Sequence, residues 1–179
     1  MFKLFYPYEY VDSVFAIDYR KLQDKGYKAV IFDIDNTLVH HGEDSTKEVD
    51  NLFEEIHELG LKTLLLSNNC DERIESFLEN IEAPFISDAQ KPNKDNYLRA
   101  VDMLGIKKTE AVMIGDQLFT DIYGANLSGI DNILVKYMRY DDEVKIGIRR
   151  NIEKILLRWY QKNKSYQNRI GDILRKEQD

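Results

Sequence analysis

Between Lys28 and Val135 short apolar runs alternate with amphipathic helical stretches, and this alternation limits the fold more than any other feature. Lys28-Ala29-Val30-Ile31-Phe32 is β-branched and short, so it reads as a buried strand. Ser45, with Glu48 three residues on, reads as a capping box opening a helix with Val49, Leu52, Phe53, Ile56 and Leu59 on one face. Gly60 ends that helix, and Lys62 to Leu66 is the second strand. Asp71 is expected to cap a helix that places Ile74, Phe77, Leu78 and Ile81 at helical spacing, and Phe85-Ile86 is a short third strand. Tyr97, Ala100, Val101 and Leu104 share the face of the next helix, which Gly105 stops. Ala111 to Ile114, a short helix over Thr120 to Asn126, and Asn132 to Val135 complete the series. Repeated strand-helix-strand units with short connections require an α/β fold, a parallel sheet covered by helices on both faces.

A chain of 179 residues fits one domain: a core over about 28–135, an N-terminal segment 1–27 in which Asp18 caps a short helix, and a helical extension over about 142–179. Apolar residues at 43% and charged residues at 32% exclude a disordered chain. No apolar run approaches the roughly 18 residues that a membrane span needs, and the opening Met1 to Pro7 is too short for a signal peptide. A cytoplasmic protein, peripheral at the inner membrane face at most, is expected. The single cysteine, Cys70, allows no intramolecular disulfide and reads as inert packing. The net charge of -7 is unevenly spread: Val144 to Lys176 carries ten basic residues against Glu153 and Asp172. Such a division suggests that the tail meets something anionic.

In open α/β sheets, ligands sit beyond the carboxyl ends of the strands. The first strand ends in Asp33-Ile34-Asp35-Asn36-Thr37, the second in Ser67-Asn68-Asn69, Lys91-Pro92 closes the loop after the third, and the fourth runs into Gly115-Asp116 with Asp121 beyond. A carboxylate such as Asp33 can attack phosphorus and split hydrolysis into two easier steps. Because phosphate repels it, a hard divalent cation must bridge the two, and oxygen-only ligands beside a phosphate favour Mg²⁺. Asp35 can protonate the leaving oxygen and later activate water. Ser67 and the backbone around it can hold the non-bridging oxygens, and Lys91 offers a compact positive charge. Asp116 completes the metal set, while Asp121 is placed to orient Lys91 or a metal-bound water. Any one of these residues alone would be a cap, a turn or a solvated side chain. The ordered set at successive strand ends is what points to chemistry.

Taken together, Asp33-Ile34-Asp35-Asn36-Thr37, Ser67, Lys91 and Gly115-Asp116 with Asp121 resemble the four motifs of the haloacid dehalogenase (HAD) superfamily, over about 28–135. The resemblance implies a three-layer Rossmann-like fold. Asp33 is then the nucleophile, Asp35 the acid/base, Lys91 the charge clamp, and Ser67 and Asn68 phosphate binders. Mg²⁺ is held by Asp33, the backbone carbonyl of Asp35, and Asp116, with Thr37 and Asp121 behind them. An aspartate as second carboxylate marks phosphatases rather than dehalogenases in that superfamily. Asp33 to Val39, Ser67 to Asn69 and Gly115 to Asp121 are further similar to the YqeG-type family, which is related to mitochondrial phosphatidylglycerophosphate phosphatases. Gln90 departs from the basic residue that this resemblance implies before the lysine.

Twenty-nine positions separate Leu38 from Ser67 and 24 separate Ser67 from Lys91, leaving no room for an inserted cap domain. An open site admits a phosphate on a large or lipid body. Val144, Ile148, Ile152, Ile155 and Trp159 form one helical stripe, with Arg150, Lys154 and Arg158 on the far side. The simpler reading packs this stripe on the domain or a second subunit; the other lays it on an anionic membrane. His40 and His41 are expected to be solvated loop residues. Rival readings are a phosphatase of nucleic-acid ends, proteins or soluble phosphometabolites, and a non-enzymatic phosphate-binding regulatory module. No aromatic-basic interleaving favours nucleic acid, and a receiver-like module would carry its acidic pair and acceptor in a different order.

Overall fold

In the computed structural model, which describes residues 2–138 and 147–176, six strands form one sheet in which every pairing is parallel. They are β1 (Glu9–Val11), β2 (Ala29–Phe32), β3 (Lys62–Leu66), β4 (Phe85–Ile86), β5 (Ala111–Gly115) and β6 (Asp131–Val135), in the order β1-β6-β5-β2-β3-β4. The helices are α1 (Tyr19–Asp24), α2 (Lys47–Glu58), α3 (Asp71–Phe77), α4 (Lys94–Leu104), α5 (Tyr123–Ser128) and α6 (Ile148–Lys162).

Alternation along the central strand sets the three layers. Val30 and Phe32 point into a core with Leu52, Phe53 and Phe77, while Ala29 and Ile31 point into another with Tyr97, Ala100 and Ala125. Successive strand side chains face opposite sides of a sheet, so one strand serves both layers. The chain runs outward from β2 through β3 to β4, then returns to β5 on the other side of β2. This reversal puts the switch point of the sheet between β2 and β5, where a crevice opens at the strand ends.

Several details depart from the sequence expectations. An additional three-residue strand, β1, pairs with β6 at the sheet edge. Thr46, not Ser45, caps α2 by accepting from the Val49 N–H, and the Ser45 hydroxyl donates to Asp50 instead. Cys70 precedes α3 at the N-cap position expected of Asp71, and it is exposed rather than packed. Asp18 does cap α1, and Gly105 ends α4 with a φ of 64°. The short helix after β5 begins earlier than expected, as a wide turn over Leu118–Ile122 that continues into α5.

The C-terminal extension shows the largest correction. Within the described residues it is one helix, α6, followed by a strap that folds back across the N-terminal segment. Glu9 is buried and its carboxylate accepts the N–H groups of Ile170 and Gly171 at 2.7 and 2.8 Å. Ile17 bridges Leu174, and Arg175 pairs with Glu55. Of the readings left open for the stripe, packing on this domain is not what the structure has: Ile148 is 81% exposed and Trp159 45%. The helix buries Glu153, Leu156 and Tyr160, with Leu156 meeting Leu118, Ile122 and Leu134. Val144 lies outside the described residues. Arg150 sits inward rather than on the far, solvated side, and Arg169 lies over the Tyr8 ring. Part of the basic surplus of the tail is therefore spent within the molecule.

Candidate active site

The ends of β2 and β3 and the loop after β4 bring polar groups to one cleft, and Asp116 after β5 lies beside it, close to Asp33. Asp33 follows β2 and donates its N–H to the Ile114 carbonyl, so the sheet itself fixes its backbone. Asn36 then turns the chain at a φ of 61°, which brings the Thr37 hydroxyl to Asp33 Oδ2 at 3.1 Å. Ser67 follows β3; it is buried, and its Oγ accepts the Asn69 N–H at 3.2 Å. The Asn68 Oδ1 accepts the Lys91 N–H at 2.8 Å, tying the second strand end to the loop that carries the lysine. Lys91 precedes Pro92 through a cis peptide bond. Together Asp33, Asp35, Ser67, Asn68, Lys91 and Thr120 line an open cleft of about 190 Å³.

At the floor, Lys91 Nζ donates to both Asp33 Oδ1 and Asp121 Oδ1. All three side chains are almost wholly buried. Asp33, Asp116 and Asp121 each bring a carboxylate oxygen within 4.8 Å of the others. Three carboxylates so close in a buried place repel one another. Burial pushes the Asp33 carboxyl up to about 6, with Lys91 opposing and Asp121 adding to the rise. Asp116 is also raised, first by burial and then by Asp33, against the pull of Arg150. For Lys91 burial works against the charge, yet Asp121 and Asp33 outweigh it and raise the pKa of the ammonium.

The two oxygens of Asp121 are taken by Lys91 and by the Gln117 N–H, so this residue positions the lysine. Asp116 differs: its Oδ1 is buried and makes no hydrogen bond among the described residues. A deficit of positive charge and an unused buried carboxylate oxygen fit a hard cation, with Asp33 and Asp116 as side-chain donors.

Asp35 lies higher in the cleft wall. Burial alone would raise its carboxyl, but hydrogen bonds from Asn69 and the Gly42 N–H, with His41 and Arg73 nearby, hold it below the ordinary range. Asn69 was placed at the rim but given no role, and Arg73 and His41 were not expected to reach Asp35. His41 is exposed, as expected of a loop residue, yet its Nδ1 lies 3.1 Å from Asp35. Arg73 could have been suspected from its place one turn into the helix after Ser67. Arg150 and Glu153 carried no local signal at all, since they reach Asp116 and the Leu118 N–H from a helix some thirty residues later.

A parallel sheet whose switch point gathers an Asp-x-Asp pair, a serine, a lysine and a Gly-Asp from successive strand ends has the arrangement of a HAD-like hydrolase. A family model described as HAD-hydrolase-like matches residues 89–149. "Probable phosphatase YqeG" of Bacillus subtilis (strain 168) is 38% identical over 156 residues, covering 87% of this chain and 91% of the relative. A glyceraldehyde 3-phosphate phosphatase of Pyrococcus furiosus is 31% identical over 67 residues, 37% of this chain and 28% of that protein. The crystal structure of an uncharacterized protein from Listeria monocytogenes serotype 4b superposes with a TM-score of 0.53 at 23% identity, covering 76% of this chain and 99% of that one. At that identity it shows a shared fold. The chain belongs to the YqeG family of HAD-like phosphatases.

Proposed function

We propose that this protein is a Mg²⁺-dependent phosphomonoester hydrolase that works through an aspartyl-phosphate on Asp33 and acts on a large or lipid phosphate such as phosphatidylglycerophosphate. The observation that carries the mechanism is the buried Lys91 ammonium held between Asp33 and Asp121, beside the unused oxygen of Asp116. Asp33, Asp116 and the backbone carbonyl of Asp35 would hold the cation, which, when bound, offsets the charge of the incoming phosphate.

Asp33 attacks phosphorus through a carboxylate oxygen as the bond from phosphorus to the leaving oxygen breaks. Asp35 gives its proton to that oxygen. Water then attacks the phosphorus of the acyl phosphate, Asp35 takes a proton from it, and orthophosphate leaves with Asp33 restored. The surroundings of Asp35 favour its ionised form, which suits the second step. For the first, the phosphate dianion supplies the like charge that draws a proton onto Asp35. Ser67 and nearby backbone N–H groups bind the non-bridging oxygens, and Asn68 fixes the Lys91 loop.

Two features support a bulky, surface-bound substrate. The links from Asp33 to Ser67 and from Ser67 to Lys91 hold only α2 with β3 and α3 with β4, so no inserted domain stands over the cleft. Beside it, α6 turns Ile148, Ile152, Ile155 and Trp159 outward next to exposed Lys154, Arg158 and Lys162. An outward face that is half apolar and half basic, with Trp, is suited to an anionic membrane interface. Among the described residues, no helix is long and apolar enough to cross a membrane.

The test is phosphate release with and without Mg²⁺, first from p-nitrophenyl phosphate, then across micellar phosphatidylglycerophosphate, nucleotides, sugar phosphates and phosphorylated oligonucleotides. Turnover independent of any divalent cation would overturn the cation reading. Preference for a soluble phosphate over the lipid would overturn the substrate.

A further inference from the structure

We infer that Arg150 is a positioning residue of the cation site, reaching in from α6 to hold the Asp116 carboxylate in a cation-ready orientation. The inference rests on the cation site proposed above and adds a component from outside the sheet. Arg150 Nη2 bonds Asp116 Oδ2, and Arg150 Nη1 bonds the Asp116 backbone carbonyl at 2.9 Å. One guanidinium thus fixes both the backbone and the side chain of the same residue. Its planar fork permits this, whereas the single nitrogen of a lysine cannot reproduce it.

The guanidinium is itself held on other sides. Glu153 Oε2 accepts from Arg150 Nη1 at 3.0 Å, and the Tyr137 ring lies under Arg150 at 4.4 Å. Glu153 is 4% exposed, and its Oε1 accepts the N–H of Leu118, two residues beyond Asp116. The Arg150–Glu153 pair therefore grips the loop after β5 at two points. With Oδ2 occupied, Oδ1 of Asp116 is left buried and without a hydrogen bond among the described residues. That oxygen belongs to the carboxylate that meets Asp33 and Asp121 in the acidic cluster. A carboxylate with one oxygen clamped and the other bare is pre-set for a cation, and it loses little rotational freedom on binding.

Arg150 touches neither Asp33 nor Lys91 in the described contacts, so its effect runs through Asp116. Groups behind metal ligands typically change metal affinity by roughly 10–100-fold when removed.

The experiment is Mn²⁺ titration of the full-length protein, read by electron paramagnetic resonance of free Mn²⁺, with melting temperature recorded alongside. Arg150→Met should weaken Mn²⁺ binding roughly 10–100-fold. Arg150→Lys should recover part of the loss, and the exposed neighbour change Lys154→Met should leave binding unchanged. If Arg150→Met melts early, Glu153→Gln replaces it: this keeps an acceptor for Leu118 but releases Arg150, and it should weaken Mn²⁺ binding in the same direction. Unchanged or tighter binding in a folded Arg150→Met or Glu153→Gln protein overturns the inference while leaving the cation site standing. A wild-type protein that binds no Mn²⁺ overturns both.

Discussion

Gly115 and Asp121 approach so closely that a Cβ on Gly115 would lie 2.5 Å from the Asp121 Cβ. Asp121 is fully buried and fixed by Lys91 and the Gln117 N–H, so it has nowhere to retreat. Gly115→Ala is therefore expected to displace Asp121 and, through it, Lys91. A displacement near 1 Å can cost roughly 10²-fold in turnover, while overpacking costs about 1–3 kcal/mol of stability. Steady-state kinetics with p-nitrophenyl phosphate and urea unfolding measure the two separately. Full activity in Gly115→Ala would mean that the Asp121–Lys91 pair is not needed where it stands.

Asp33→Asn should abolish phosphate release and acid-stable phosphoenzyme, and should also stabilise the metal-free protein at alkaline pH. The folded Asp33 carboxyl, near 6, lies above its ordinary 3.8. The stability it lends is thus fully present below the unfolded value and is lost as pH rises through about 6. Removing the ionised form should recover about 1–3 kcal/mol at pH 8 and little at pH 4. Denaturant melts in a chelator at both pH values check the sign. An Asp33→Asn protein less stable than wild type at pH 8 contradicts it.

Asp35→Asn should reduce turnover of alkyl phosphates by roughly 10²–10⁴-fold and affect nitrophenyl phosphate far less, because a good leaving group needs no proton. Arg73→Gln should act differently. Arg73 helps to hold the Asp35 carboxyl low, so its loss should move the acidic limb of phosphoenzyme hydrolysis, the step that needs Asp35 ionised, to higher pH. An unmoved limb would assign it to another group.

Lys154→Glu, Arg158→Glu and Lys162→Glu together should release the protein from anionic vesicles while sparing p-nitrophenyl phosphate turnover. Each basic residue near such a surface contributes about 1 kcal/mol, and binding should weaken with salt. Arg150 is left intact because it is paired with Asp116 and Glu153 rather than with solvent. Sedimentation that is equal for both proteins would make the outward face of α6 something other than a lipid contact.

Most of the site was legible because each residue falls at the end of a strand that the apolar pattern already marks. Strand ends in a parallel sheet share one rim, so Asp33, Ser67, Lys91 and Asp116 could be grouped without coordinates. The docking of α6 was hidden for a physical reason. The apolar pattern favours the face of Ile148, Ile152 and Ile155, but the helix is seated by buried Glu153 meeting the Leu118 N–H and by Tyr160 and Leu156. A polar anchor outweighs the larger stripe, and no local spacing announces it. Strand β1 was hidden because Glu9-Tyr10-Val11 is too short to show a period, and its buried carboxylate serves the strap.

Pairing of the segment around Glu9 and Ile17 with residues more than a hundred positions later sets an order of assembly. Glu9 faces Ile133 across the sheet edge, and Ile17 meets Leu174. At synthesis rates of about 5–20 residues per second, the N-terminal strand emerges on the order of ten seconds before β6 exists to receive it. Phe5 finds Phe119 and Tyr123 before β6 is made, but Tyr6 waits for Tyr160 and Tyr10 for Leu134 and Leu156. The later segment, α6 with its strap, both seals this edge and delivers Arg150 to Asp116. A nascent chain therefore carries Asp33 and Lys91 well before it carries the finished carboxylate cluster, and the cleft matures only once α6 has been made.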